Sequence, residues 1–207
     1  MERPILFSGE MVNAILSGAK TQTRRVVKPP PAEHTEIWNR EKGVAEHSEA
    51  WFSNVLRRCP YGHPGDLLWV RETWFPAPWS DGNKDFVKPL YRADAESDGY
   101  VHGFDAGEDK WKPSIFMPRW ASRITLKVEG VRVQRLQDIS EEDCYDEGID
   151  DSQIQLAQTV ALPPCTVNIP TPKTVYRDLW DSLNKKKHPW SSNPWVWAVT
   201  FSKEDNG

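Results

Sequence analysis

A run of cations without acidic residues is the part of the sequence best suited to bind an anion or a nucleobase. It extends from Lys20 to Lys28 and includes Arg24 and Arg25. Lysine and arginine are hydrogen-bond donors only, and the planar guanidinium matches phosphate oxygens and base edges. The run therefore predicts a local binding cleft. The alternative is a solvated basic loop, in which Thr23 only satisfies a backbone group of a turn.

The overall charge limits which nucleic acids such a cleft could bind. The 207 residues contain 26 Lys and Arg against 30 Asp and Glu, which gives a net charge of −4. Proteins that hold a duplex mainly through its phosphates are usually basic. The composition therefore argues against general coating of DNA, and it favours a single nucleoside or a short strand as the partner.

A second set of chemically versatile side chains lies on a predicted strand between two tryptophans. Strand alternation places Trp69, Arg71 and Thr73 on one face and Val70, Glu72 and Trp74 on the other. One face is expected to pack the core. The other could stack a base on a tryptophan and hydrogen-bond it through Arg71 or Glu72. The sequence leaves open which face does which.

Metal and cofactor sites are not expected. Cys59 and His63 are close in sequence, but no second Cys/His pair follows at ligand spacing. Cys144 and Cys165 stand alone, and an odd number of widely spaced cysteines indicates free thiols in a reducing compartment. No apolar run approaches the roughly 20 residues of a membrane span, and the first residues do not look like a secretory leader. We therefore expect a cytoplasmic protein without a cofactor.

The elements around the basic run can be predicted from apolar spacing. Met11, Val12, Ile15 and Leu16 recur at helical intervals, and Gly18 ends this helix. Ile124 to Val133 alternates like a long strand, with a bend or bulge at Gly130. A helix begins after Ser140, another lies between Val175 and Leu183, and Trp195 to Phe201 forms a final strand.

These elements fit one domain over residues 1–207. Three stretches look like insertions into it, near 29–58, 75–113 and 151–172, because they are polar or rich in proline and glycine. The segment 75–113 is expected to be a long loop with one strand near Tyr91.

The segment from Gly18 to Arg25 resembles the signature of the ASCH family, Gly-x-Lys-x-x-x-x-Arg, with Gly18, Lys20 and Arg25 at the motif positions. Later blocks are similar to further family segments: Pro64 to Val70, Asp138 to Ile149 and Asn193 to Phe201. The block from Trp111 to Arg123 resembles ASCH proteins encoded by phages and prophages, which implies a phage or prophage origin.

The resemblance implies an α+β fold, namely a PUA-like β-barrel of about five to seven mostly antiparallel strands with a few flanking helices. It also implies binding of RNA or of a modified nucleoside or base. The residues expected to bind this ligand are Gly18, Arg24, Arg25, Trp69, Arg71, Glu72 and Trp74.

Two enzymatic alternatives follow from the same resemblance. Some small ASCH proteins are amidohydrolases that deacetylate N4-acetylcytidine, and their catalytic set corresponds to Lys20, Thr23 and Glu147 here. A threonine hydroxyl needs a neighbouring base, and a lysine serves as one when its pKa is lowered. Glu147 could also be an ordinary surface residue near a helix end. Ribonuclease activity is the third possibility, although no histidine pair supports it.

Overall fold

The structure is a computed structural model that describes residues 1–28, 36–39, 44–47, 53, 55–78, 87–98, 111–160 and 170–204. Much of the three predicted insertions lies outside these residues, as does Cys165. The described strands are β1 (Glu2–Leu6), β2 (Gln22–Val26), β3 (Glu36–Asn39), β4 (Val44–His47), β5 (Leu67–Arg71), β6 (Trp74–Pro78), β7 (Val87–Tyr91), β8 (Thr125–Arg135) and β9 (Trp195–Glu204). The described helices are α1 (Gly9–Leu16), α2 (Arg92–Asp98), α3 (Glu141–Asp146), α4 (Asp151–Val160) and α5 (Pro172–Asn184).

Five strands form one mixed sheet in the order β1-β5-β8-β9-β2. The β1–β5 pair is parallel and the other three pairs are antiparallel. The α+β class and the mostly antiparallel pairing are therefore as predicted. The register of β8 against β9 shifts between Val128 and Gly130, where the sequence predicts a bend or bulge, and such a shift lets a long strand bend.

The predicted closed barrel is wrong for the described strands. β1 and β2 are the two edges of the sheet, and no backbone ladder joins them. The gap is spanned by a side chain instead, because the Arg25 guanidinium donates to the Leu6 carbonyl oxygen over 2.5 Å. A side-chain bridge of this kind joins the two edges without a ladder between their backbones.

Buried apolar side chains form three clusters within the described part of the chain. The largest lies on one face of the sheet under α1 and includes Val12, Ile15, Leu126 and Phe201. The second lies on the opposite face under α3 and α5. The third is small and holds Trp74, Met117 and Ala121. The sheet is therefore covered on both faces beside β2, which positions helices around its open edge.

Two two-stranded sheets accompany the main one, β3–β4 and β6–β7. The second corrects the prediction for 75–113: a hairpin of β6 and β7, followed by α2, replaces a long loop with one strand. Within the described ranges no helix combines the length and apolarity that crossing a bilayer requires.

Candidate functional site

A buried ionic cluster joins the start of β2 to the end of α3. The Lys20 ammonium donates to the Glu147 carboxylate at 2.7 Å and to the Glu147 carbonyl oxygen at 2.6 Å. Arg24 donates to the other Glu147 carboxylate oxygen at 3.1 Å. Lys20 is only 2% exposed, and Arg24 and Glu147 are also buried. The alternative of a solvated basic loop is therefore wrong for Lys20 and Arg24, and Glu147 is no surface residue.

Asp143 extends this cluster by one turn of α3. Its carboxylate accepts from Arg24 at 2.7 Å, from Arg132 of β8 at 2.8 Å and from Gln22 at 3.1 Å. Burial raises the pKa of Asp143, but the hydrogen bonds and charges of these partners outweigh it and hold the pKa below its usual value. Asp143 is therefore ionised at neutral pH.

The environment of Lys20 favours its neutral form more than water does. Burial lowers the pKa of Lys20, with Arg25 and Arg24 acting in the same direction, and the Glu147 carboxylate opposes this change. The pKa of Lys20 is therefore lowered, which is the direction that a lysine acting as a base requires.

Local backbone geometry permits this close packing. Glu147 ends α3, and Gly148 follows with a φ of +94°, a conformation that glycine adopts without strain. A β-carbon on Gly148 would lie 3.4 Å from both the Ala14 and the Lys20 β-carbons. Glycine at this position therefore allows α3 to turn directly against Lys20.

Tyr176 of α5 contacts two members of the cluster, Glu147 and Arg24. Its hydroxyl donates to Glu147 over 3.4 Å, and the Arg24 guanidinium lies 6.0 Å from its ring centroid. Burial raises the pKa of Tyr176 well above its usual value, and the Glu147 charge adds to this. The phenol therefore stays protonated and serves as a donor.

The odd-numbered residues of β2, Thr23 and Arg25, point to the face of the sheet opposite the ionic cluster. The Arg25 guanidinium lies over the Phe7 ring at 5.1 Å from its centroid. Thr23 is buried, and its hydroxyl makes no hydrogen bond to Lys20 or to Glu147. Strand alternation thus separates Thr23 and Arg25 from Gln22 and Arg24, which contact the carboxylates of the ionic cluster.

A cavity of about 410 Å³ wraps around this edge and receives side chains from both faces. It is lined by Leu6, Phe7, Ser8, Met11, Thr23, Arg24, Arg25, Val26, Thr73, Ser114, Glu147, Tyr176, Leu179, Trp180, Leu183 and Asn184. Its size is in the range of small-molecule sites, about 300 to 1,000 Å³. Because β2 is an edge strand, one cavity can contact Thr23 and Glu147 even though they belong to different faces.

The backbone of β2 contributes hydrogen-bonding groups to the cavity. Thr21 accepts from the Phe201 amide, and the Val27 amide donates to Trp195, so odd-numbered residues are bonded to β9. The amide and carbonyl groups of Arg24 and Val26 then point away from β9, since pairing alternates along an antiparallel ladder. No described strand pairs with that side of β2.

Two buried arginine nitrogens at the same edge also have no acceptor. The Nε atoms of Arg24 and Arg25 are buried and make no hydrogen bond to any described residue. An unpaired buried donor is unfavourable, so a ligand that offers an acceptor would gain by binding here. No group of three metal-ligating side chains occurs in the described part of the chain.

The predicted site residues fall into two groups. Thr23, Arg24, Arg25 and Glu147 line the cavity, and Lys20 lies behind Glu147. The cavity lining does not include the other predicted residues, which are Gly18, Trp69, Arg71, Glu72 and Trp74.

Glu72 and Trp74 have structural partners where they lie. The buried Glu72 carboxylate accepts two hydrogen bonds from Arg123, at 2.9 and 3.0 Å. Trp74 is buried beside Met117. The opposite face of the predicted strand, with Trp69, Arg71 and Thr73, is half-buried.

Sequence reasoning missed Asp143, Tyr176 and Arg132. Asp143 is part of a capping pattern, since its amide donates to the Ser140 hydroxyl at 3.0 Å. Such a pattern predicts the start of a helix but gives no role for the Asp143 carboxylate. Tyr176 lies in the predicted helix of α5, but nothing in its local sequence distinguishes a core tyrosine from a site tyrosine. Arg132 is one of several cations on β8.

Neither a family model nor a curated protein matches the sequence. Among solved structures, the chain is similar to the crystal structure of an ASCH domain from Lactobacillus crispatus, with 12% identity and a TM-score of 0.39. The similarity covers 98% of this chain and 79% of the other. At this identity and TM-score, membership of the ASCH family stays a prediction.

Proposed function

We propose that this protein binds a nucleobase in the cavity at the open edge of β2, either as a nucleoside or within a short single strand of RNA. The observation that carries the proposal is the unpaired edge itself. Backbone amide and carbonyl groups of Arg24 and Val26 alternate along one wall of a cavity of nucleoside size. A nucleobase presents a similar alternation of donors and acceptors along its edges.

The side chains of the cavity suit a planar, polar ring. Phe7, Tyr176 and Trp180 provide aromatic surface, and Thr23, Thr73, Ser114 and Asn184 provide small polar groups. Most small-molecule sites combine a largely apolar lining with a few polar groups that set orientation. Tyr176 is held by Glu147, so its position is set before a ligand arrives.

The charge around the cavity favours a ligand with acceptor oxygens or a phosphate. Asp143 and Glu147 are the carboxylates of the ionic cluster, and Lys20, Arg24 and Arg132 pair with them. Arg25 adds a further cation, and its guanidinium donates to a carbonyl oxygen rather than to a carboxylate. The cluster with Arg25 therefore has more cations than carboxylates, although the whole chain is acidic.

Equilibrium binding to a panel of nucleosides and nucleoside monophosphates tests the proposal. We expect Arg25→Ala to weaken binding at least tenfold, because it removes both a cation and a donor at the cavity. Arg25→Lys should recover only part of the affinity, since it keeps the charge but not the planar fork. Arg177→Ala is the control, because Arg177 is a half-exposed cation of α5 outside the cavity lining. Equal affinities of wild type and Arg25→Ala would contradict the proposal.

Hydrolysis of an acylated nucleoside is the second candidate function. The observation that favours it is a Thr23 hydroxyl that has no hydrogen bond to a described side chain and lies in the same cavity as Glu147. A lysine of lowered pKa, Lys20, contacts Glu147. Thr23 Oγ1 would attack the amide carbonyl while neutral Lys20 accepts its proton, and the amine would leave with a proton returned from Lys20. Water would then hydrolyse the acyl-threonine ester. Lys20 must exchange its Glu147 contact for Thr23 in this sequence.

Chromatographic assay of N4-acetylcytidine and related acylated nucleosides tests this second function. Thr23→Val is the appropriate variant, because valine keeps the β-branched shape on the strand and removes the nucleophile. We expect product from wild type and none from Thr23→Val. The rate should rise with pH as Lys20 loses its proton. No product above the Thr23→Val background across the panel would leave binding as the only function.

A further inference from the structure

A short segment beside the cavity exposes three large apolar side chains. Residues 114–121 form two 3₁₀ turns, Ser114–Phe116 and Arg119–Ala121. Ile115 is 57% exposed, Phe116 69% and Trp120 61%. Single exposed apolar residues are common, but three within six positions form the kind of patch that marks an interaction surface.

The exposure of these side chains does not come from a loosely held segment. Met117 and Ala121 of the same segment are fully buried beside Trp74. The Met117 carbonyl accepts from Arg71 Nε at 2.9 Å, and the Ala121 carbonyl accepts from the Tyr91 hydroxyl at 3.0 Å. The inward side is therefore fixed by packing and hydrogen bonds, and it presents Phe116 outward in a defined position.

Cations lie over two rings beside this segment, Trp69 and Trp74. Arg71 and Arg119 both lie over the Trp69 ring, with their guanidinium carbons 5.1 and 6.0 Å from its centroid. Lys112 lies 5.4 Å from the Trp74 ring centroid. Glu2 is the carboxylate paired with Arg119. Aromatic rings and positive charges thus lie close together around this segment, on a chain whose net charge is −4.

The surface is continuous with the cavity. Ser114 lines the cavity and directly precedes Ile115 and Phe116. Leu6 also lines the cavity, and it is the register partner of Arg71 in the β1–β5 pair. A chain that leaves the cavity past Leu6 or Ser114 would therefore meet Arg71 and Phe116 next.

We infer that Trp69, Arg71, Lys112, Phe116, Arg119 and Trp120 form a stacking platform that holds a single strand of RNA whose terminal or flipped base occupies the cavity. The inference rests on the proposed function of the cavity. Proteins that bind single strands combine aromatic rings, on which bases stack, with cations that contact the phosphates. A purely apolar protein partner would not account for three cations placed among the rings.

Binding of RNA of increasing length separates the platform from the cavity. Fluorescence anisotropy with a labelled random-sequence RNA octamer measures the whole surface, and the nucleoside panel measures the cavity alone. We expect Phe116→Ala to weaken octamer binding about tenfold, as loss of one stacking partner does, and to leave nucleoside affinity unchanged. Phe116→Trp should restore octamer binding, and Phe116→Leu should not.

The matched control is Leu156→Ala, which removes an equally exposed apolar side chain (65%) from α4. It should leave octamer binding unchanged. Octamer affinity that Phe116→Leu retains in full would overturn the platform, because it would indicate general apolar contact as with a protein. Octamer affinity that is insensitive to Phe116→Ala would overturn it as well.

The two proposals fail separately in this design. If nucleosides bind and depend on Arg25, but octamer binding ignores Phe116, only the platform is wrong. If octamer binding depends on Phe116 while no nucleoside binds and Arg25→Ala has no effect, the platform stands and the cavity proposal is wrong.

Discussion

Lys20 shows how a single side chain can connect elements that are remote in sequence. Its ammonium group bonds to Glu147, 127 positions away, and both groups are buried. Removing one partner of a buried ion pair leaves the other charge without compensation, which destabilises strongly. The Lys20–Glu147 pair therefore contributes to the stability of the protein and also forms part of the proposed site.

The first prediction concerns this pair. We expect Lys20→Met to lower the free energy of unfolding by about 3 kcal/mol at neutral pH. This value is at the lower end of the range for breaking a buried ion pair, because Arg24 still contacts Glu147. Lys20→Met combined with Glu147→Gln should lose less than the sum of the two single changes. Urea denaturation of the four proteins gives these values, and additive losses would show that the two groups do not interact.

The same variants test the direction of the Lys20 pKa. A folded-state pKa below 10.5 means that the unfolded chain binds more protons between the folded pKa and 10.5. The free energy of unfolding of wild type should therefore rise with pH through this window. The difference in free energy of unfolding between wild type and Lys20→Met should also grow as the pH rises. A difference that shrinks with rising pH would contradict the lowered pKa.

The sequence could indicate which side chains matter here but not how they are arranged. The run from Lys20 to Lys28 contains no acidic residue, so it looks solvated when read locally. Its carboxylates, Asp143 and Glu147, come from α3, more than a hundred residues later. Only the resemblance to a family linked Lys20 to Glu147 beforehand, because no local spacing rule connects such distant positions.

At the scale of elements, α3 matters because it carries both carboxylates of the cluster. Ser140 caps it, and its hydroxyl accepts from the Asp143 amide at 3.0 Å. Ser8 occupies the corresponding position before α1 without any side-chain cap bond. The two serines therefore offer a matched comparison of a functioning cap with an unused one.

The second prediction uses this comparison. Ser140→Ala should lower the free energy of unfolding by about 1 kcal/mol, the usual effect of removing an N-cap hydroxyl. Ser8→Ala should change it by less than about 0.5 kcal/mol, like most surface substitutions. Thermal or urea unfolding of both variants measures the difference. A loss at Ser8 as large as the loss at Ser140 would mean that the cap bond is not the cause.

Elements with regular alternation were predictable and the proline-rich hairpin was not. β8 and β9 follow the alternation expected of strands, and α1 and α5 follow helical spacing. β6 and β7 contain prolines at 76, 78 and 89, and Pro76 is opposite Pro89 in the register. Proline is tolerated only at the edges of sheets, and both strands of a two-stranded sheet are edges. The prolines that marked this region as a loop are therefore compatible with the hairpin.

At the scale of the whole molecule, charge sets the character of any RNA binding. The chain is acidic overall, and the cations near the cavity and the platform are partly neutralised by Asp143, Glu147 and Glu2. Few cations remain for phosphates. Most of the affinity should therefore come from stacking and from hydrogen bonds to bases.

The third prediction follows from this balance. About three phosphate contacts give a slope of about −2 for the logarithm of the octamer association constant against the logarithm of salt concentration. Anisotropy titrations across a range of salt concentrations measure the slope. Arg119→Gln should make it shallower, while Lys186→Ala, in the exposed turn after α5, should leave it unchanged. A wild-type slope steeper than about −5 would indicate a much broader phosphate-binding surface.

Whether the main sheet closes into a barrel is the property of the whole molecule that the sequence predicted least well. The resemblance predicts a barrel, and the described strands form an open sheet whose two edges are bridged by Arg25. The alternation of single strands carries no information on whether the first and last strands of a sheet meet. The phage origin, the family and the ligand stay predictions, because the pattern of strands determines none of them.

The open edge of β2 also bears on how copies of this protein behave toward one another. An exposed strand with unpaired amide and carbonyl groups is a template for pairing with another chain, and proteins usually shield such edges. Here α5 and the end of β1 border the edge, because Leu6, Leu179 and Leu183 line the same cavity as Arg24 and Val26. The walls that form the proposed binding site thus also protect the protein against edge-to-edge aggregation.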